Sequence, residues 1–141
     1  KVITASLLHD IAKEYPKNKT MMIMNKYYPS KVNENESLYH QYVGEYLARK
    51  KFGIEDTEIL EAIKYHTTAN ANMSKLAKLV YVSDKLDPLR SYDSSAMINA
   101  CINNLDKGFI EVLKENIDYL NTKHIPYRNE YTINAVKYYL K

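Results

Sequence analysis

Glycine and proline are scarce in this chain, and their scarcity narrows the folds that it can adopt. Only 3 Gly and 4 Pro occur among 141 residues, whereas β-sandwiches and β-barrels use many of both at their turns. Apolar residues make up 45% of the chain, and they recur at helical spacing rather than in strand alternation. The sequence therefore predicts an all-α fold in a single domain, residues 1–141, with helices joined by short loops.

Eight helical segments are predicted from the spacing of the apolar residues and from the residues that cap or break helices. Asp56 and Ser74 have the side chains of helix N-caps, Gly53 is typical of a C-terminal stop, and Pro88 is expected to end the fifth segment. The predicted segments are 2–12, 18–28, 37–52, 57–66, 75–87, 94–105, 106–121 and 131–141. In the first segment, the side chains expected on the buried face are those of Ile3, Leu7, Leu8 and Ile11.

Cysteine content, apolar run length and net charge exclude several classes of protein. Cys101 is the single cysteine, so an intramolecular disulfide and a multi-cysteine zinc site are excluded, and a reducing compartment, the cytoplasm, is expected. No apolar run approaches the ~18 residues of a membrane span, and the first residues do not form a signal peptide. The net charge of +3 is too small to predict nucleic-acid binding, but it is compatible with a small anionic ligand.

Several polar side chains lie on the apolar faces of predicted helices, where an unpaired charge would cost several kcal/mol. Taken singly, each is more often a hydrogen-bonded core histidine or a helix-capping aspartate. Together they include three of the four histidines and lie on four separate segments, which is how helix bundles build metal sites. The residues are His9, Asp10, His40, His66 and Asp84. Imidazole and carboxylate without thiolate suit iron, manganese or zinc, and a shared Asp10 carboxylate would bridge two ions ~3.5–4 Å apart.

Basic and hydroxyl side chains near these positions are candidates for binding phosphate. Lys13 follows the His-Asp pair by about one helical turn, and Thr67 comes directly after the third of these histidines. Arg90 is one of only three arginines, and its guanidinium matches the geometry of phosphate oxygens. Near the C-terminus, Tyr127 and Tyr138 are candidates to stack on a base, although most of the 14 Tyr are expected to be packing residues.

Four motifs, in their order along the chain, resemble those of the HD-domain metal-dependent phosphohydrolases. The first is LLHDIAK at 7–13, and the second is His40 followed by Val43-Gly44 and the helix end at 52–54. The third is AIKYHTT at 62–68, and the fourth is YVSDKLDPLR at 81–90. The ordered set looks like the YqeK branch of this family, the symmetrical bis(5′-nucleosyl)-tetraphosphatases, and the resemblance covers nearly the whole chain.

The resemblance implies an HD-domain helical bundle with a di-iron-type centre that hydrolyses diadenosine tetraphosphate symmetrically to two ADP. Two divalent transition-metal ions are implied, iron first, with manganese or zinc as alternatives. The implied metal ligands are His9, Asp10, His40, His66 and Asp84. The implied catalytic residues are Asp10, Lys13 and Arg90. The implied substrate contacts are His40, His66, Thr67 and Arg90, with a looser match at Tyr127, Arg128, Thr132 and Tyr138.

The same resemblance implies partners. A dinucleoside polyphosphate or an ADP-like nucleotide is the expected ligand, and neither a nucleic acid nor a membrane is expected as a partner. In some bacteria the domain is fused behind a nicotinate-nucleotide adenylyltransferase domain, so such a fusion is one expectation for this chain. Oligomer formation stays open.

The chain departs from the family pattern at a few positions. Ala69 stands where the family tends to have Gly, Ser83 where Ala is usual, and Asp87 where Glu is usual. The family also has a further histidine ligand one helix upstream of His9, and this sequence begins after that point. We therefore expect a bundle that lacks its first helix, a centre with five of six protein ligands, and a chain that is the C-terminal part of a longer one.

Three other functions are weighed against this one. The first is an HD phosphohydrolase that acts on another nucleotide, such as a mononucleotide or a cyclic dinucleotide. The second is a non-catalytic nucleotide-binding domain, which the missing upstream histidine would favour. The third is a helical interaction domain whose inward histidines are coincidental, and the order of the four motifs argues against it.

Overall fold

The prediction of an all-α fold is confirmed. The computed structural model describes residues 1–86 and 94–141, and within these ranges the chain forms α-helices and two short 3₁₀ turns, with no β-strand. The helices are α1 (Val2–Leu8), α2 (Lys17–Tyr27), α3 (Tyr39–Phe52), α4 (Thr57–Lys64), α5 (Lys75–Lys85), α6 (Ser95–Asn103), α7 (Leu105–Thr122) and α8 (Glu130–Tyr139). The 3₁₀ turns are Pro29–Lys31 and Glu36–Leu38. None of the helices in the described ranges has both the length and the apolar character needed to cross a membrane.

Helix α1 ends at Leu8, four residues before its predicted end. Beyond it, the backbone N–H groups of Ile11, Lys13 and Tyr15 donate to carbonyls three residues earlier, at 3.2, 3.1 and 3.1 Å. Bonds of this spacing are typical of 3₁₀ turns rather than of an α-helix. The segment 9–15, which carries the His-Asp pair, is therefore a series of tight turns and not the interior of a helix.

The buried face of α1 also differs from the prediction. Ile3 and Leu7 are 76% and 74% exposed, whereas Ala5 and Leu8 are buried. Ile11 is partly buried against the main core, as expected. Helix α1 packs on α4 and α5, and Ala5 and Leu8 lie in the main core. The apolar spacing therefore identified the helix and the burial of Leu8, but it was wrong for Ile3 and Leu7.

The residues predicted to begin and end helices act as expected where the structure describes them. The Asp56 side chain accepts hydrogen bonds from two backbone N–H groups in the first turn of α4, and Ser74 accepts one from the first turn of α5. Gly53 ends α3 with φ of 64°, a left-handed conformation that glycine adopts without strain. Pro88 lies outside the described residues, and α5 ends at Lys85.

Helices α4 and α5 lie at the centre of the bundle. Helix α4 contacts α1, α3 and α5, and α5 also contacts α1 and α7. Helices α6 and α7 form a hairpin that is tight at Gly108, where an added Cβ would lie 2.6 Å from the Cα of Cys101. Because α1, α3 and α5 border the same central helix, the segments that carry the candidate metal ligands are neighbours in space.

Candidate metal centre

Four segments of the chain bring the five candidate metal ligands together. His9 and Asp10 lie in the tight turns after α1, and His40 is the second residue of α3. His66 follows the end of α4, and Asp84 lies in the last turn of α5. His66 is almost fully buried, whereas the other four side chains are partly exposed. The cluster is therefore anchored in the core on one side and accessible to a ligand on the other.

Asp10 lies between two groups of side chains, and each of its carboxylate oxygens faces one group. Its Oδ1 is 3.3 Å from His66 Nε2 and 3.6 Å from His40 Nε2. Its Oδ2 is 3.3 Å from His9 Nε2, which lies 3.7 Å from Asp84 Oδ1. Within each group of three residues, the potential ligand atoms all lie within 4.8 Å of one another. Two adjoining ligand groups that share a carboxylate are compatible with a site for two ions.

The three histidine rings are oriented by the same local hydrogen bond. In each case Nδ1 lies within hydrogen-bond distance of the backbone carbonyl three residues earlier in the chain. The carbonyls are those of Ser6, Ser37 and Ile63, at 2.6, 2.9 and 2.6 Å from His9, His40 and His66 respectively. A ring that donates Nδ1–H to a carbonyl keeps Nε2 unprotonated and available as a metal ligand.

These bonds leave a group of acceptor atoms facing one another. His40 Nε2 lies 3.0 Å from His66 Nε2, and each presents a lone pair when its Nδ1 carries the proton. The ionised Asp10 carboxylate, which faces both rings, is also an acceptor only. Converging acceptors repel one another unless a cation lies among them. The donor set therefore fits a bound metal ion, and its imidazole and carboxylate groups suit iron, manganese or zinc.

The electrostatic environment favours the protonation states that metal binding requires at His40 and Asp10, but not at His9. Burial lowers the pKa of His40 to about 4, and the neighbouring His66 ring acts in the same direction, so His40 is neutral at pH 7. The neighbouring His66 ring lowers the pKa of Asp10, so this carboxyl group is ionised. The hydrogen bond to Asp84 raises the pKa of His9 above its ordinary value.

Gln41 is a residue of the site that sequence analysis did not identify. Its wholly buried side chain accepts from Thr67 N–H and donates to Thr68 Oγ1, both at 3.3 Å. From the other side, the hydroxyl of buried Thr132 donates to the Thr68 carbonyl at 3.0 Å. The loop after α4 is thus held between α3 and α8, and it places Thr67 Oγ1 3.4 Å from His40 Nε2.

Two of these residues, Thr67 and Thr132, were predicted to contact the substrate. Thr67 lies beside the ligand cluster. Thr132 is buried, and its hydroxyl donates to the Thr68 carbonyl. Gln41 could have been found as the chain's single glutamine, directly after a candidate ligand on the inward side of α3.

The remaining predicted site residues are Lys13, Arg90 and three residues near the C-terminus, and of those that the structure describes, only Lys13 lies near the ligand cluster. Lys13 is exposed and lines a cleft that ends at His40. Tyr127 packs partly buried against the main core, Arg128 is exposed, and Tyr138 donates its hydroxyl to Asn72 Oδ1 at 3.4 Å. No hydrogen bond or ring contact joins these three to the five candidate ligands within residues 1–86 and 94–141. Arg90, together with Asp87, lies outside the described residues.

Comparison with known proteins identifies the family. Residues 1–89 match the HD domain family. The chain is 31% identical over 125 residues to the symmetrical bis(5′-nucleosyl)-tetraphosphatase of Bacillus subtilis, covering 86% of this chain and 67% of that protein. It is 32% identical over 144 residues to the protein of the same name from Staphylococcus aureus, covering 99% of this chain and 74% of that protein.

A further relative and a solved structure agree with this assignment. The chain is 29% identical over 121 residues to a probable nicotinate-nucleotide adenylyltransferase/Ap4A hydrolase of Mycoplasma genitalium, covering 81% of this chain and 35% of that protein. The crystal structure of a predicted HD superfamily hydrolase involved in NAD metabolism from Clostridium acetobutylicum matches with a TM-score of 0.77 and 30% identity. That match covers 96% of this chain and 74% of the other. On this evidence the chain belongs to the HD-domain family and is one of the hydrolases of that family.

Proposed function

We propose that this chain is the catalytic domain of a symmetrical dinucleoside tetraphosphatase, which cleaves diadenosine tetraphosphate with one water to give two ADP. The observation that carries the proposal is the pair of ligand groups that share Asp10, each facing a different oxygen of its carboxylate. Relatives named for this activity support the choice of substrate. Residues 1–141 act as one HD domain in this proposal.

The proposal places two divalent transition-metal ions at the centre, iron first, with manganese or zinc as alternatives. Asp10 would hold one ion with His40 and His66, and the other with His9 and Asp84. When bound, such ions polarise phosphoryl oxygens and lower the pKa of a water to about 7, which makes it a nucleophile at neutral pH. The Nδ1 hydrogen bonds would leave the three Nε2 atoms available to hold the ions.

The remaining residues act on the substrate's negative charge. Lys13 lines the same cleft as His40, and in this proposal its ammonium stabilises charge on phosphoryl oxygens near the centre. Thr67 Oγ1 can donate to a phosphate oxygen beside the same ring. Arg90, if placed as the motif implies, would contribute a bidentate phosphate contact. The central phosphoanhydride breaks, and its bridging oxygen leaves with one of the two ADP molecules.

The direct test is product analysis. The purified protein is stripped of metal, reloaded anaerobically with Fe²⁺, and incubated with diadenosine tetraphosphate, and the nucleotides are separated by chromatography. We expect ADP alone, at two molecules per substrate consumed. Equal amounts of ATP and AMP would overturn the symmetrical reaction. Hydrolysis of mononucleotides or cyclic dinucleotides without hydrolysis of the tetraphosphate would contradict the proposed substrate. If the metal-loaded protein hydrolyses none of these nucleotides, the proposed enzymatic activity is wrong.

A matched pair of variants separates the centre from general effects of charge. Asp10→Asn removes the shared carboxylate charge and should abolish ADP release. Asp118→Asn makes the same chemical change at an exposed position on α7 and should leave the rate unchanged. Equal rates for the two variants would contradict the role given to Asp10.

A further inference from the structure

Asn129, the residue before the start of α8, lies in a buried polar network outside the candidate metal centre. It is 5% exposed, and its Oδ1 accepts hydrogen bonds from the backbone N–H groups of Tyr131 and Thr132 at 2.8 and 3.2 Å. Its Nδ2 donates to Glu34 Oε1 at 2.7 Å and to the Tyr42 hydroxyl at 2.9 Å. One side-chain amide therefore caps α8 and joins it both to the segment before α3 and to α3 itself.

The first turn of α8 also contacts the loop that follows His66. The Thr132 hydroxyl donates to the Thr68 carbonyl, which lies two residues after His66, at 3.0 Å. On the other side, Tyr42 lies in the first turn of α3 together with His40. The start of α8 is therefore bonded to both elements that hold His40 and His66, whose Nε2 atoms lie 3.0 Å apart.

The loop after His66 is held in a conformation that its own sequence does not favour. Ala69 is wholly buried, and its φ of 62° lies in the left-handed region, which costs a residue other than glycine free energy. Such conformations persist only where the surrounding contacts impose them. The bond from Thr132 is one of these contacts, so α8 contributes to fixing the backbone next to His66.

The second ligand group is held together in a different way. His9 follows α1 and Asp84 lies in the last turn of α5, and these two helices contact each other directly. The packing of α1 on α5 therefore sets the spacing of His9 and Asp84, whereas the spacing of His40 and His66 depends on contacts that α8 makes.

We propose that Asn129 is a positioning residue, which acts through α8 to hold His40 and His66 at the spacing that one of the two metal ions requires. The inference rests on the metal centre of the proposed function, but it concerns the binding of an ion and not the hydrolysis of a substrate. Loss of the Asn129 bonds should therefore weaken the ion at His40 and His66 and spare the ion at His9 and Asp84.

The test measures Mn²⁺ binding by competition with a chelator. Asn129→Asp keeps the oxygen that caps α8, but it replaces the amide donor by a carboxylate that faces Glu34. We expect one ion to bind about tenfold more weakly and the other to stay within about twofold of the wild type. In crystals soaked with limiting Mn²⁺, the anomalous peak beside His40 and His66 should fall relative to the other peak. Adding Glu34→Gln reverses donor and acceptor in the pair and should restore most of the affinity.

Two control variants separate positioning from general effects of charge and stability. Asn121→Asp makes the same chemical change at an exposed position on α7, and Gly108→Ala strains the α6–α7 hairpin, which carries none of the five candidate ligands. Both controls should keep both Mn²⁺ affinities.

The positioning role is wrong if Asn129→Asp leaves both affinities unchanged or lowers both equally, or if Gly108→Ala causes the same selective loss. If Asn129→Asp weakens one ion selectively while the wild type leaves the tetraphosphate intact, the positioning role stands and the proposed function fails. The two proposals therefore fail in different experiments.

Discussion

Replacing Gln41 by leucine tests whether the loop after α4 is held by a buried amide. Leucine is similar in size but cannot make the two hydrogen bonds to Thr67 N–H and Thr68 Oγ1. An amide left without an acceptor costs about 1–3 kcal/mol, and loss of the second bond costs about 1 kcal/mol. We therefore expect Gln41→Leu to lower the free energy of unfolding by about 2–4 kcal/mol, which for a chain of this length lowers Tm by roughly 6–12 °C.

The assay is urea denaturation of the metal-free protein with chelator present, so that metal binding does not add to the measured stability. Lys50→Leu, an exposed substitution on the same helix, is the control and should stay within about 0.5 kcal/mol of the wild type. Because Thr67 lies beside His40, Gln41→Leu should also weaken metal binding. A stability within about 0.5 kcal/mol of wild type would refute the role given to these two bonds.

Four further outcomes are expected. Asp10→Asn should lower metal affinity by more than about 100-fold in a chelator competition, because it removes the ligand that both groups share. Gly108→Ala should destabilise the chain by about 1–3 kcal/mol in denaturant, since its Cβ would meet the Cys101 backbone at 2.6 Å. Gly44→Ala should cost less, because its nearest contact, a side-chain atom of Ile63, lies farther away, at 3.2 Å. Metal at 100 times its Kd should add about 2.7 kcal/mol of stability, measured as a rise in Tm that chelator reverses.

The fold was largely predictable because local chemistry marks helix ends. Asp56 and Ser74 cap helices with their own side chains. Gly53 ends α3 because its backbone can adopt a left-handed conformation. These roles follow from residue type alone. The early end of α1 was not predictable in this way, because the turns at 9–15 depend on packing against other helices. The exposure of Ile3 had the same origin, since the apolar spacing does not say which side of a short helix faces the core.

The candidate site was predictable in composition but not in geometry. Histidines on apolar faces pointed to the cluster, and the structure brings those side chains together. The division of the cluster by the two oxygens of Asp10 depends on tertiary distances, as does the link from Gln41 to the loop. The hydrogen bond from buried Thr132 to the loop was likewise not predictable, because it depends on how α8 packs against the loop after α4.

Anomalous diffraction from crystals of the Fe²⁺-loaded protein, recorded at the iron edge, tests the central claim most directly. The account predicts two peaks, one on each side of the Asp10 carboxylate. The first should lie within ligand distance of His40 and His66, and the second within ligand distance of His9 and Asp84. A single peak would contradict the two-ion centre, and peaks that are not adjacent to Asp10 would contradict the site itself.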